Sequence, residues 1–226
     1  MDMNLRGAIF DLDGTLLDSG HVWKDIDRLF LGKRGIEVPP DYYQAVAPLG
    51  FGGAAEYTIK RFQLKETPAE ILAEWQQMSE DAFAHDVKIK PYVKEYLASL
   101  AARGIPCAIA TASHQSLYEP ALKNNGIDTY FSTYVTVNQV VRGKGFPDIY
   151  VAAAEKLGVP PTACAVFEDI LPGITGAKAG GFYTVAVKDG AAAEWETKLR
   201  QTADRYIESY QELFTNDIFP STKISK

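Results

Sequence analysis

The sequence predicts an α/β fold, a doubly wound parallel sheet carrying a small inserted helical domain. Three observations lead there. Short apolar runs recur along the chain, they are continuously rather than alternately apolar, and helical patterns separate them. Continuous apolarity suits strands covered on both faces, and strand–helix alternation is the rhythm of a doubly wound sheet. One long segment breaks that rhythm, and it reads as the insertion.

The first strand is Ala8-Ile9-Phe10. From about Ser19 to Asp86 no convincing strand follows, only amphipathic helical stretches at Val22 to Gly35, Asp41 to Ala47, Ala54 to Leu64 and Pro68 to Phe83. Ile71, Leu72, Trp75 and Met78 recur at helical spacing and read as a packed face. Pro91 opens the next helix at its first turn, with Val93, Tyr96, Leu97 and Leu100 on one side and Gly104 as the stop. The strand Pro106 to Ala110 leads to a helix over His114 to Asn125, ended by Gly126. A weaker strand lies near Tyr134 to Val137, and a helix follows Pro147. The strand Ala163 to Phe167, a helix after Pro172 and the strand Phe182 to Val187 complete the pattern. Residues 1–18 and 87–226 therefore form the expected core domain and residues 19–86 the inserted domain. The tail Ser221 to Lys226 is expected to fray.

Bulk properties exclude several classes. The 226 residues are 46% hydrophobic and 23% charged, ordinary for a globular chain. A formal charge of -6 argues against binding nucleic acid, whose affinity rests on clustered Lys and Arg. No run approaches the ~20 apolar residues of a membrane span, and the N-terminus is unlike a signal peptide. Cys107 and Cys164 sit in apolar stretches and read as core residues, so a reducing cytoplasm is the expected location. His21, His85 and His114 are scattered with no Cys nearby, unlike a zinc site.

Four segments carry the chemistry. Phe10-Asp11-Leu12-Asp13-Gly14-Thr15-Leu16 follows the first strand, where ligands bind in open α/β sheets. Asp11 and Asp13 stand two apart, so extended backbone aims both to one side, and Gly14 permits a turn. Two carboxylates so placed repel unless a hard cation such as Mg²⁺ lies between them. One can attack phosphorus; the other can protonate a leaving oxygen. Alone, Asp-x-Asp is common and reads as an acidic helix cap. The second segment, Thr111-Ala112-Ser113-His114, opens a helix where hydroxyls and free N–H groups cradle phosphate, or simply cap the helix. Lys144, in the Gly-rich loop Arg142 to Asp148, can offset charge on phosphoryl oxygens or be a surface charge. Glu168-Asp169 ends a further strand and completes an oxygen-rich metal site. Each bland reading is reasonable singly; four strand ends failing together is not.

At these residues the chain resembles the haloacid dehalogenase-like hydrolase superfamily. Asp11-Leu12-Asp13-Gly14-Thr15 matches its first motif, Thr111 its second, Lys144 its third and Glu168-Asp169 its fourth. The match continues through Ile170-Leu171-Pro172-Gly173-Ile174 and Ala177 to Gly181. It is closest to the branch of sugar-phosphate phosphatases and β-phosphoglucomutase, whose helical cap follows the first motif. The resemblance implies a Rossmann-like core, Asp11 as nucleophile and Asp13 as general acid and base. It implies that Thr111, Ala112 and Lys144 hold the phosphoryl group. Mg²⁺ would be bound by the Asp11 side chain, the Asp13 backbone carbonyl and Asp169, with Glu168 a ligand or neighbour. One departure is Gly145, where many relatives carry Pro.

Asp13 favours phosphate esters over halides, because an alkoxide needs a proton on leaving and a halide does not. The expected function is a Mg²⁺-dependent phosphatase acting on a small phosphorylated metabolite, with neither nucleic acid nor membrane as partner, in a monomer or weak homo-oligomer. A β-phosphoglucomutase-like mutase is the alternative; such mutases place an Arg in the cap loop. The matching stretch here, Gly50 to Ala54, has none, and Arg61 lies two turns on. That loop makes Phe51, Gly52 and Gly53 the candidate specificity residues, unless the glycines merely enter the next helix. A non-catalytic binding protein would have no need of Asp13.

Overall fold

The computed structural model of the chain describes residues 4–46 and 49–219, with backbone alone at positions 44, 50 and 51. Ala47 and the 221–226 tail lie outside the described residues. In chain order, β1 (Gly7–Phe10) is followed by four helices, α1 (Val22–Gly32), α2 (Tyr42–Val46), α3 (Gly50–Phe62) and α4 (Pro68–His85). Then come α5 (Val93–Ala102), β2 (Cys107–Thr111), α6 (Gln115–Asn124), β3 (Phe131–Thr136) and α7 (Asp148–Leu157). The chain continues with β4 (Cys164–Glu168), α8 (Leu171–Ala179), β5 (Tyr183–Val187), α9 (Glu196–Thr202), β6 (Arg205–Ile207) and α10 (Glu212–Thr215). Two compact units result: Met1–Gly20 with Lys88–Lys226, and His21–Val87.

The first unit holds a six-stranded sheet of order β3-β2-β1-β4-β5-β6, parallel throughout. The chain starts at the centre and winds first one way, then the other, so β1 marks the switch point where such sheets bind ligands. Every residue of β1, β2 and β4 is buried, which is why these strands read as unbroken apolar runs. Phe10 stacks on Phe167 with ring centroids 4.4 Å apart. Each such buried ring contributes about 3 kcal/mol. Cys107 and Cys164 are both free and buried.

Some boundaries differ from expectation. β3 begins at Phe131, and Val137 belongs to a short 3-10 turn instead of the strand. Pro91 precedes α5 rather than opening its first turn; Tyr92, with φ +66°, is the cap. Three-residue β6 was not predicted. Among the described residues it pairs with β5 alone, so an edge position tolerates Arg205 and Tyr206 half-buried and leaves no apolar run to read.

The helical unit is locally encoded. Thr67 and Glu70 form a reciprocal capping box at the start of α4, with Pro68 in the first turn. Phe30 of α1 meets Trp75 of α4 edge to face, centroids 5.4 Å apart. Arg34 joins them, donating to Glu66 at 2.8 Å and Glu74 at 2.6 Å. Gly52 and Gly53 lie inside α3, which starts at Gly50 with Leu49 as its cap. Of the two readings of these glycines, a loop or the entry to the next helix, the structure shows the second; the side chain of Phe51 lies outside the described residues. Among the described residues no helix is long and apolar enough to cross a membrane.

Candidate active site

Asp11 continues the sheet ladder beyond β1, its N–H donating to the Phe167 carbonyl at 3.0 Å. The chain then turns sharply. The Leu12 carbonyl accepts from the N–H groups of Thr15, Leu16 and Leu17 at 3.2, 2.9 and 2.8 Å. Gly14 sits in this turn with φ +78°, and a Cβ there would collide with the Asp169 carboxyl group. Only glycine meets both demands. Thr15 donates to Asp169 Oδ1 at 3.2 Å and to Asp11 Oδ2 at 3.4 Å, joining the first and fourth segments. Tyr210 braces the turn from beneath, its hydroxyl 3.4 Å from the Thr15 carbonyl.

Lys144 arrives on a loop that leans on α8. A Cβ on Gly176 would strike the Lys144 carbonyl and come within 2.8 Å of the Phe146 carbonyl, so a small residue in α8 lets the loop reach inward. The ammonium pairs with Asp11 and, at 2.6 Å, with Glu168. Its side chain is only 9% exposed, so the reading of Lys144 as a surface charge is wrong. Glu168 is buried at the end of β4, and Asp169 is buried just beyond it. Oxygens of Asp11, Glu168 and Asp169 all lie within 4.8 Å of one another.

Asp13 stands slightly apart. Ser19 donates to its Oδ1 at 2.7 Å and Ser113 donates to its Oδ2. Ser113 thus serves Asp13, while His114 caps α6 and accepts from the Ser116 N–H. Thr111 is buried at the end of β2, its hydroxyl accepting the Ser113 N–H at 3.0 Å; Ala112, next to it, is exposed.

Burial is the main electrostatic force here. Loss of solvent raises the Asp169 carboxyl to about 9, with Asp11, Glu168 and Asp189 adding repulsion that Lys144 only partly offsets. Burial raises Asp11 as well, against the pull of Lys144. Asp13 is raised by burial and by the Asp11 charge, and lowered by the two serine hydroxyls. The Lys144 ammonium is held charged by Asp11 and Glu168 despite its burial. Three carboxylates facing one ammonium leave an excess of negative charge, and an all-oxygen donor set of this kind suits Mg²⁺ or Ca²⁺ rather than Zn²⁺.

A pH dependence follows. The folded chain holds protons on Asp11 and Asp169 more tightly than the unfolded chain does. Their contribution to stability is therefore present below the ordinary carboxylate value of 3.8 and is lost as pH rises toward about 9. A divalent ion held among these carboxylates would offset that penalty. The rise in Tm on adding saturating Mg²⁺ should be larger at pH 8 than at pH 5; an equal or smaller rise at pH 8 would contradict the charge balance described here.

The structure thus brings Asp11, Asp13, Thr111, Lys144, Glu168 and Asp169 to one end of the sheet. Ser19, Tyr150 and the ion pair of Lys90 with Asp189, at 2.9 Å, were not anticipated. Ser19 and Asp189 lie in loops without motif character, and Tyr150 reads only as a helix core residue, so no local signal marks them.

Comparison with known proteins identifies the family. Residues 5–181 match the family model described as "haloacid dehalogenase-like hydrolase". The chain is 30% identical over 187 residues to the fructose-1-phosphate phosphatase YqaB of Escherichia coli (strain K12), covering 80% of this chain and 96% of that protein. It is 29% identical over 191 residues to hexitol phosphatase A of the same organism, covering 82% and 84%. Among solved structures, CbbY from Rhodobacter sphaeroides in complex with phosphate superposes with a TM-score of 0.72 at 22% identity, covering 92% and 96%. β-Phosphoglucomutase from Clostridium difficile does so at 0.68 and 20%, covering 92% and 93%; both structures speak to the fold alone. With its fold, its convergent acids and this match over most of its length, the chain belongs to the haloacid dehalogenase-like hydrolases.

Proposed function

We propose that the protein is a phosphatase of small phosphorylated metabolites that works through a phosphoryl group carried transiently on Asp11. The observation that carries this reading is the pairing of Lys144 with Asp11 and Glu168 beside Asp169, with Asp13 held separately by two serines. An Asp11 carboxylate attacks phosphorus and expels the alcohol. Asp13, whose carboxyl is biased toward its protonated form, gives the proton to the leaving oxygen. It then takes a proton from the water that releases phosphate. Lys144 offsets charge on the phosphoryl oxygens, and Thr111 with the backbone at Ala112 cradles them. Asp11, Asp169 and the Asp13 carbonyl, with Glu168 beside them, are suited to hold Mg²⁺, which would supply further charge stabilisation when bound. The insertion at residues 19–86 is read as the substrate-selecting cap, with residues 1–18 and 87–226 as the catalytic domain, and the cytoplasm as its place of work.

The relatives named as fructose-1-phosphate and hexitol phosphatases support a sugar- or polyol-phosphate substrate. A mutase reading has less support. Arg61, the nearest arginine in α3 able to take a second phosphate, is bound to Asp41 at 2.8 Å and to the Tyr57 hydroxyl at 2.7 Å.

The test is a screen of phosphorylated metabolites for phosphate release with Mg²⁺, with glucose 1-phosphate isomerisation assayed in parallel. Release from sugar or polyol phosphates is expected; isomerisation without net release would overturn the reading. Asp13→Asn sharpens it. Loss of general acid catalysis typically costs about 10²- to 10⁴-fold, and it should fall on alkyl phosphates far more than on activated aryl esters. Equal loss for both ester types would remove Asp13 from the acid role.

A further inference from the structure

Glu168 is fully buried, and two donors converge on one of its oxygens. Lys144 approaches Oε1 at 2.6 Å and the Tyr150 hydroxyl donates to the same Oε1 at 2.8 Å. Among the described residues the other oxygen, Oε2, has only the distant Ile170 N–H at 3.4 Å. On its far side the carboxylate is walled by α8, where a Cβ on Gly173 would fall 2.6 and 2.7 Å from the two oxygens. Tyr150 itself cannot move far. It is fully buried in α7, its ring edge-on to Phe182 at 6.2 Å. It is a donor on a rigid stem.

We infer that Tyr150 is a positioning residue for the divalent-ion site: by holding Glu168 Oε1 together with Lys144, it turns Oε2 toward the ion and keeps the Lys144 ammonium shared with Asp11. Without the phenol, Lys144 is the sole strong partner of Oε1, and the carboxylate is free to rotate and draw the ammonium away from Asp11. Partners that orient the groups around an ion in this way commonly change metal affinity or activity by about 10- to 100-fold when removed. The inference rests on the ion and nucleophile assignments proposed above.

The experiment compares Tyr150→Phe with Ile149→Val, a buried neighbour in the same helix, as a control for simple loss of packing. Mg²⁺ affinity is measured without substrate, by titration calorimetry and by the Mg²⁺ dependence of Tm. In Tyr150→Phe the Mg²⁺ Kd should rise about tenfold or more, and kcat should fall with the KM for the phosphate ester unchanged. Ile149→Val should lower Tm and leave the Mg²⁺ Kd alone. Wild-type Mg²⁺ binding in Tyr150→Phe, or an equal shift in Ile149→Val, would overturn the inference. Because binding is read without turnover, a weakened Mg²⁺ site in a protein that releases no phosphate from any ester would instead sink the proposed function and leave the role of Tyr150 standing.

Discussion

Replacing Asp11 with asparagine is expected to lower turnover by at least about four orders of magnitude, the scale seen when a nucleophile is removed from a cooperating site. The amide has the shape of the carboxylate and none of its nucleophilicity, so the loss falls on chemistry rather than on binding. Folding should survive. Lys144 keeps Glu168 as a partner at 2.6 Å, and the change removes one negative charge from a buried group that already has too many. The apo protein should therefore melt at the wild-type temperature or above it. Phosphate release from an activated aryl ester, followed beside thermal unfolding, checks both halves. Substantial residual activity would defeat the nucleophile assignment, and a large drop in Tm would mean that the Asp11–Lys144 pair matters more to folding than the repulsion it relieves.

Replacing Lys144 with methionine should be costly in both respects. Methionine fills most of the space of the lysine stem but leaves Asp11, Glu168 and Asp169 buried with no cation. Removing one partner of a buried pair typically destabilises by about 3–5 kcal/mol, and loss of a charge stabiliser in the site costs about 10²- to 10³-fold in kcat. The sign of the pH effect is fixed by the same carboxylates. With no ammonium nearby they hold protons more tightly still, so the instability of the variant should be small near pH 4 and grow as pH rises. Mg²⁺ should recover part of the Tm and little of the kcat. Denaturation at several pH values, with and without Mg²⁺, measures this. A variant as stable as wild type at pH 8 without Mg²⁺ would show that the three carboxylates do not carry the charge assigned to them.

How much of this was legible beforehand depends on how local each signal is. The central strands were readable because both faces are covered, which forces unbroken apolar runs such as Ala8-Ile9-Phe10. The edge strand Arg205–Ile207 was not, since one free edge relaxes that demand. The helix over Pro68–His85 was readable from apolar residues at helical spacing, of which Ile71 and Trp75 are buried, whereas Gly52 and Gly53 left a loop and a helix entry both open, because glycine is compatible with either. The acids were visible at strand ends, and Lys144 in a Gly-rich loop, as parts of one family pattern. Tyr150 and Asp189 acquire their roles only through distant partners: Tyr150 meets a residue 18 positions away, and Asp189 meets Lys90 from the far side of the sequence. Ser19 stands only 6 positions from Asp13 but in a loop without motif character. Ser113 is an intermediate case. It stood in a stretch recognised as a phosphate cradle or helix cap, yet its hydroxyl turns to an acid 100 residues upstream.

The proposed reaction requires phosphorus to be bonded to Asp11 during turnover. Rapid acid quench during steady-state hydrolysis, followed by borohydride reduction and peptide mapping, tests this directly, because borohydride converts an aspartyl phosphate to homoserine. Homoserine at position 11, dependent on substrate and absent from Asp11→Asn, is the predicted result. A turning-over enzyme that yields none at position 11, or yields it at Asp13 or Asp169 instead, would contradict it.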